Sequence, residues 1–201
     1  MADEKLDTQV RREQIAEAAL GLVASHGVRR LSMAAVARRV GLVPSGIYRH
    51  FKSKDAMLAA VLDLIERRLL SNVQAARDES QDPLERLHGI FIRHVRFIRE
   101  GRAIPQIIFS DDMHSGSPER KARVARIVAA YLGQIRQCVA EGQQQGAICS
   151  ELDPDTVSLL FMGTIAPAGI LWHLTDGGFD VTRHAARVWP MFQKAIAGRP
   201  V

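Results

Sequence analysis

The stretch GLVPSGIYRHFKSKDAML, residues 41–58, holds two glycines, a proline, two aromatics and a basic cluster, and no acid before Asp55. Glycine and proline are poor residues for a helix interior. Yet Ile47, Tyr48 and Phe51 recur at one-turn spacing, which a loop has no reason to do. The two observations are reconciled if the segment starts one short helix sharply, stops it, and starts another. Gly41 closes a preceding helix, and Pro44 sits in a first turn, where its missing N–H costs nothing. The short helix runs to about His50, and Ser53 is a good N-cap for a long helix beyond it.

Working outward, Ile15, Ala18, Ala19, Leu22 and Val23 form one stripe of an amphipathic helix that ends at Gly27. Ser32 caps a second helix whose inner side is Met33, Val36, Ala37 and Val40. After Ser53, Met57, Leu58, Val61, Leu62, Ile65 and Leu69 make the apolar side of the long helix. Pro83 opens a helix with Leu84, Leu87, Phe91, Val95 and Ile98 on one face; a short apolar piece and a loop over 111–116 follow. Ser117-Pro118-Glu119 starts another long helix, carrying Val124, Ile127, Val128, Tyr131, Ile135 and Cys138. Asp153-Pro154 starts the next, and Gly177-Gly178 separates it from a last helix with Ala185, Val188, Phe192 and Ile196. The pattern predicts an all-α fold of about nine helices. It divides into a helix-turn-helix domain over 1–55 and a helical domain over 56–201.

The charge is distributed unevenly. The whole chain of 201 residues carries a formal +5, and Ser25–Lys54 holds Arg29, Arg30, Arg38, Arg39, Arg49, Lys52 and Lys54 with no acid at all. That is the footprint of a polyanion partner, or else a solvated basic face. Two short helices joined at Gly41, apolar within and basic without, are a helix-turn-helix candidate. A helix entering the major groove must be thin on its outer side, as Val43, Pro44, Ser45 and Gly46 make this one. Tyr48, His50, Lys52, Lys54 and the helix start at Ser53 supply phosphate contacts. Tyr48 and His50 have a packing role as their alternative, and Gly46 a role in close helix contact.

Residues 15–58, IAEAALGLVASHGVRRLSMAAVARRVGLVPSGIYRHFKSKDAML, resemble the N-terminal domain of TetR/AcrR-type bacterial transcriptional regulators. The resemblance rests on I-x-x-A-A-x-x-L, Gly27, Ser32, V-A-x-x-x-G, a small residue two before Tyr48, and Tyr48-x-His50-Phe51-x-Ser53-Lys54. It implies that Ser32 donates to a phosphate, that Pro44, Ser45 and Gly46 face base edges, and that Tyr48, His50 and Lys54 grip the backbone. Arg49 would reach a guanine or a phosphate. Met33-Ala34-Ala35 departs from relatives that carry a polar or basic reader there, so DNA shape would carry more of the specificity.

The resemblance also implies a homodimer on a near-palindromic double-stranded operator, released by a small, largely apolar effector. The alternative is a DNA-binding, architectural protein of the same fold, controlled by a protein partner or by DNA itself. Val157–Leu174 has no charged residue and reads as a helix buried in a core or between subunits, not as a membrane span. Leu159, Met162, Gly163, Ala166, Ile170 and Trp189 are the interface candidates, with an intramolecular core as their alternative. Pro167 and Pro190 should kink or end their helices. Phe91, His94, Phe109, Met113, Tyr131, Phe161 and Trp172 are candidates for an effector pocket, with plain core packing as the alternative. No cofactor is called for. The seven histidines lack metal-ligand spacing, so no metal site is expected, and no catalytic motif is present. Two cysteines and a charged N-terminus fit a reducing cytoplasm.

Overall fold

The computed structural model describes residues 2–100 and 117–198. Within them lie eight α-helices: α1 (Ala2–His26), α2 (Met33–Arg39), α3 (Pro44–His50), α4 (Lys54–Glu79), α5 (Pro83–Arg99), α6 (Pro118–Gln144), α7 (Pro154–Leu174) and α8 (Val181–Ile196). A 3₁₀ turn over Val28–Arg30 follows α1. No strand occurs among the described residues; one isolated bridge pairs Ile148 with Ala197. The fold is all-α, as the periodicity predicts. The apolar piece before Asp111 and the loop over 111–116 lie outside the described residues, as do the pocket candidates Phe109 and Met113.

The chain forms two compact units, residues 1–67 with 107–124, and residues 68–106 with 125–201. In the first, α1, α2 and α3 pack pairwise around Ile15, Ala19, Val36, Ala37, Ile47 and Phe51, each at most 1% exposed. Burying the isoleucine, valine and phenylalanine side chains among these contributes roughly 1.5–3 kcal/mol apiece. The first helix begins well before the apolar stripe at Ile15 that announces it in the sequence. Its added turns bring Arg12 and Glu13 into the unit. The start of α6 is held to α4 by ion pairs of Arg120 with Asp55 and of Arg123 with Asp63 and Glu66.

In the second unit α5 packs on α7 and α8 through an aromatic cluster. Phe91 meets Phe161 edge-on at 5.9 Å between centroids, and Trp189 lies 5.6 Å from Phe91 and stacks at 4.7 Å on His88. Arg86 joins Glu141 of α6 at 2.6 Å and donates to the Ser80 carbonyl at 2.6 Å, while Arg77 reaches the same carboxylate at 3.3 Å. A close approach ties α6 to its surroundings: a Cβ at Gly142 would stand 2.6 Å from Ile148 Cδ1 and 3.1 Å from Pro83 Cβ, so only glycine fits.

Pro167 and Pro190 lie inside helices that continue past them, so of the two expected effects neither proline has that of ending its helix. Within one chain α7 is covered on one side only: although it is long and apolar enough to cross a membrane, a third of that apolar window is buried. One side, with Val157, Phe161, Ile165 and Ala168, faces the core; the other bears Leu159, Leu160, Ile170, Leu171 and Leu174, all at least 41% exposed.

Candidate nucleic-acid interface

The interface is built on the turn between α2 and α3. Ser32 has extended backbone, and its Oγ accepts the Ala35 N–H at 3.1 Å, which fixes the first turn of α2. Its hydroxyl proton stays available for a second acceptor. Gly41 has φ +69°, a region where a Cβ is strained, and this reversal lets the Leu42 N–H reach back to the Ala37 carbonyl at 2.9 Å. The chain then re-enters a helix at Pro44.

In α3, Ile47 is fully buried, and Phe51 just beyond it is 1% exposed; together they seat the helix on the core. Val43, Pro44, Ser45, Tyr48 and Arg49 point to solvent, and Gly46 and His50 are half-buried. Tyr48, 49% exposed, is a surface residue, not a core aromatic. Lys52 is exposed, and Lys54 is half-buried with its Nζ 3.4 Å from the Arg29 carbonyl. The Ser53 Oγ accepts the Ala56 N–H at 3.1 Å and so caps α4. Arg29, Arg30, Arg38 and Arg39 are all exposed, so the acid-free stretch presents its charge to solvent.

Gly46 is not required by the protein's own packing. A Cβ there would meet Leu42 Cβ at 3.7 Å and Val43 Cγ2 at 3.9 Å, ordinary contact distances. Gly46→Ala should therefore raise thermal stability, since alanine is favoured over glycine in a helix by up to about 1 kcal/mol. If the bare backbone approaches a DNA groove, the same methyl should weaken duplex binding about tenfold. Unchanged binding by fluorescence anisotropy would show that α3 does not approach DNA at this point.

One residue the sequence reading missed holds α3 in place. The Arg12 Nη1 donates to the His50 carbonyl at the C-terminal end of α3, and the guanidinium lies 4.4 Å above the Phe51 ring. It thereby satisfies a helix-end carbonyl and stacks on the aromatic that anchors the helix. Arg12 sits in the polar turns ahead of the apolar stripe, and no local signal links it to a residue 38 positions away.

The pocket candidates of the second unit come together only in part. His94 and Tyr131 are buried, and the His94 Nδ1 lies 2.9 Å from the Tyr131 hydroxyl. Burial pushes the His94 pKa down to about 4 and that of Tyr131 up, so both are neutral near pH 7. Phe91 and Phe161 pack directly on one another. Trp172 is elsewhere: its ring lies against Gly177 at the end of α7, about 16 Å along the helix from Phe161. Among the interface candidates, Leu159, Gly163 and Ile170 are exposed and Met162 and Ala166 half-buried. Trp189 differs from that expectation, because it is 8% exposed and packed among His88, Phe91 and Phe192. Leu160, Leu171, Leu174 and Met191 add apolar surface that the reading had not singled out.

The sequence model of the bacterial regulatory proteins of the tetR family matches residues 15–61, which contain the whole turn and both its helices. The model of the tetracyclin repressor-like C-terminal domain matches residues 80–196, more than half of the chain. The chain belongs to the TetR family of bacterial regulatory proteins. As a TetR-family member it is a DNA-binding, helix-turn-helix transcriptional regulator, of a family whose members form dimers. Among its relatives is the nucleoid occlusion factor SlmA of Alteromonas mediterranea, 28% identical over 131 residues, 65% of this chain and 67% of the relative. A TetR regulator from Chloroflexus aurantiacus shares the fold at a TM-score of 0.80, with 19% identity over 96% of this chain and 98% of its own. FadR from Bacillus subtilis, solved in complex with stearoyl-CoA, does so at 0.75, with 21% identity over 92% and 98%.

Proposed function

We propose that this TetR-family protein is a cytoplasmic, homodimeric repressor that binds a near-palindromic operator and is released by a small-molecule effector. The observation that carries the DNA-binding part is the outer surface of α3, thin and solvent-facing, with exposed Arg49 on it and Lys52 just beyond it, and seated by buried Ile47 and Phe51. One such helix reads too few base pairs for useful specificity, so a two-fold dimer is the natural arrangement. Residues 1–55 would carry DNA binding, and residues 56–201 effector binding and dimerisation. Within that division Ser32, Tyr48, His50, Lys52 and Lys54 hold the backbone. Val43, Pro44, Ser45 and Gly46 meet the groove, and Arg49 reaches a base or a phosphate. Release would be a population shift, in which an effector biases α4 and the paired α3 helices leave the roughly 34–36 Å spacing of successive major grooves.

The second reading, control by a protein partner or by DNA itself, draws support from two observations. Phe91 packs on Phe161 and His94 bonds to Tyr131, so these four pocket candidates satisfy one another directly. Relatives named as nucleoid occlusion factors point the same way.

The test is capture of sheared host DNA by the purified protein at about physiological salt, with sequencing of what is retained. A few sites sharing an inverted repeat are expected, with neighbouring genes that narrow the effector. Diffuse retention abolished by added salt would leave only the backbone contribution and overturn the repressor reading. On a captured site, Lys54→Ala should weaken all sequences alike and reduce the salt slope by about one counterion. Arg49→Ala should cost roughly 1–3 kcal/mol at a single base position if it reads a base, and act equally on random DNA if it does not.

A further inference from the structure

The turn of α1 ahead of its apolar stripe reaches the helix that faces DNA, and α3 has little of its own to hold it. It has seven residues, Val43 at its N-cap makes no side-chain cap, and its first turn holds no acid. By contrast, α2 and α4 are capped by Ser32 and Ser53. A helix this short does not hold together by itself in water, so its ends must be fixed by the rest of the fold. At the C-terminal end the Arg12 Nη1 donates to the His50 carbonyl, and its guanidinium lies 4.4 Å from the centroid of the Phe51 ring. We propose that Arg12 is a positioning residue for DNA recognition: through that carbonyl and that ring it sets the tilt of α3, and with it the preference for one sequence over others. This rests on the reading that α3 meets the groove.

Both partners of the guanidinium suit that role. Phe51 is 1% exposed and Ile47 fully buried, so the ring under Arg12 is fixed in the core. A planar guanidinium can donate in its plane while its face lies on an aromatic ring. One side chain thus holds the end of the helix and the residue that seats it. Glu13, the next residue, accepts from Gln9 at 3.4 Å and meets Arg67 of α4 at 3.6 Å, which ties the same turn of α1 to α4. Ser45 stands about 7.5 Å along the axis from His50, so a tilt of about 8° at the anchored end displaces it by about 1 Å. Base-edge hydrogen bonds do not stretch that far. A lysine such as Lys52, on a flexible stem, can follow a phosphate over the same distance. Loss of the anchor should therefore cost sequence preference more than attachment to the DNA backbone.

Hydrogen exchange of the free, full chain is the first test. Arg12→Ala should speed exchange of the amides of residues 48–51 about tenfold, while those of α2 keep their native rates. Arg12→Lys keeps a donor and a charge without the planar fork, and should restore part of the protection. Glu13→Gln alters the same turn of α1 and should leave α3 unchanged. On DNA, Arg12→Ala should lower the ratio of affinities for a captured site and a random duplex about tenfold. Its salt slope on the random duplex should stay native. Equal acceleration across α1, α2 and α3 would reduce Arg12 to general stability and overturn the proposal, as would native exchange rates in α3 or an equal effect of Glu13→Gln. A salt slope lowered by about one counterion would overturn it too, by making Arg12 a phosphate contact in its own right. The exchange measurement contains no DNA, so its outcome is separate from that of the repressor reading.

Discussion

Replacing Leu159 and Leu174 together by glutamate should convert the protein to a monomer by sedimentation, with its helical content unchanged. Both side chains project from the uncovered side of α7, 62% and 71% exposed, beside Leu160, Ile170 and Leu171 and with Met191 of α8 at 70%. A Cβ built at Gly163 on that face meets nothing within 4 Å. The surface is therefore open within one protomer, and contiguous apolar surface of this kind marks an interaction site. Two-fold pairing would place four carboxylates in an apolar contact, each costing several kcal/mol of desolvation, so the pairing should fail. The consequence for DNA is larger than the loss of one contact. Two linked reading heads gain about 10²–10⁴-fold in avidity over one, and that factor should disappear from operator binding. A double variant that still sediments as a dimer would remove this face from the interface.

The second large effect is on stability against pH. His94 is buried beside Tyr131, and burial holds its pKa at about 4, against about 6.5 for an unperturbed histidine. Above pH 6.5 it is neutral in both folded and unfolded chains and contributes no pH dependence. As pH falls from about 6.5 to about 4, the unfolded chain takes up a proton that the folded one refuses, so stability declines; below about 4 both are protonated and the loss levels off. The shift corresponds to about 3 kcal/mol. Denaturant unfolding at pH 7 and pH 4 should show the native protein losing that much more than His94→Gln, whose amide can still pair with the Tyr131 hydroxyl and does not titrate. Equal losses in the two proteins would mean that His94 is hydrated in the folded state.

The features that could be read without a structure are those written in neighbouring residues. Gly41 with positive φ, Pro44 in the first turn of α3, and the serine caps at Ser32 and Ser53 act over three or four positions. The strict one-turn spacing of Ile47 and Phe51 settles which side of α3 is inward, and hence that Ser45 and Arg49 face out. An all-α fold follows from the same periodicity. The family is legible too, because its pattern lies within one continuous segment.

What only the tertiary structure decided is which face meets which. Periodicity places residues on a common side of a helix, but pairing between helices depends on chain reversals that no local pattern specifies. Arg12 caps α3 from 38 residues away, and Glu141 of α6 collects Arg77 and Arg86 from two other helices. Trp189 and the leucines of α7 are both apolar in the sequence. Packing by α5 takes the tryptophan into the core and leaves Leu159 and Leu174 in water. A helix apolar on every side carries no sign of which side its own chain will cover, because burial against one's own chain and burial against a second copy select the same residues.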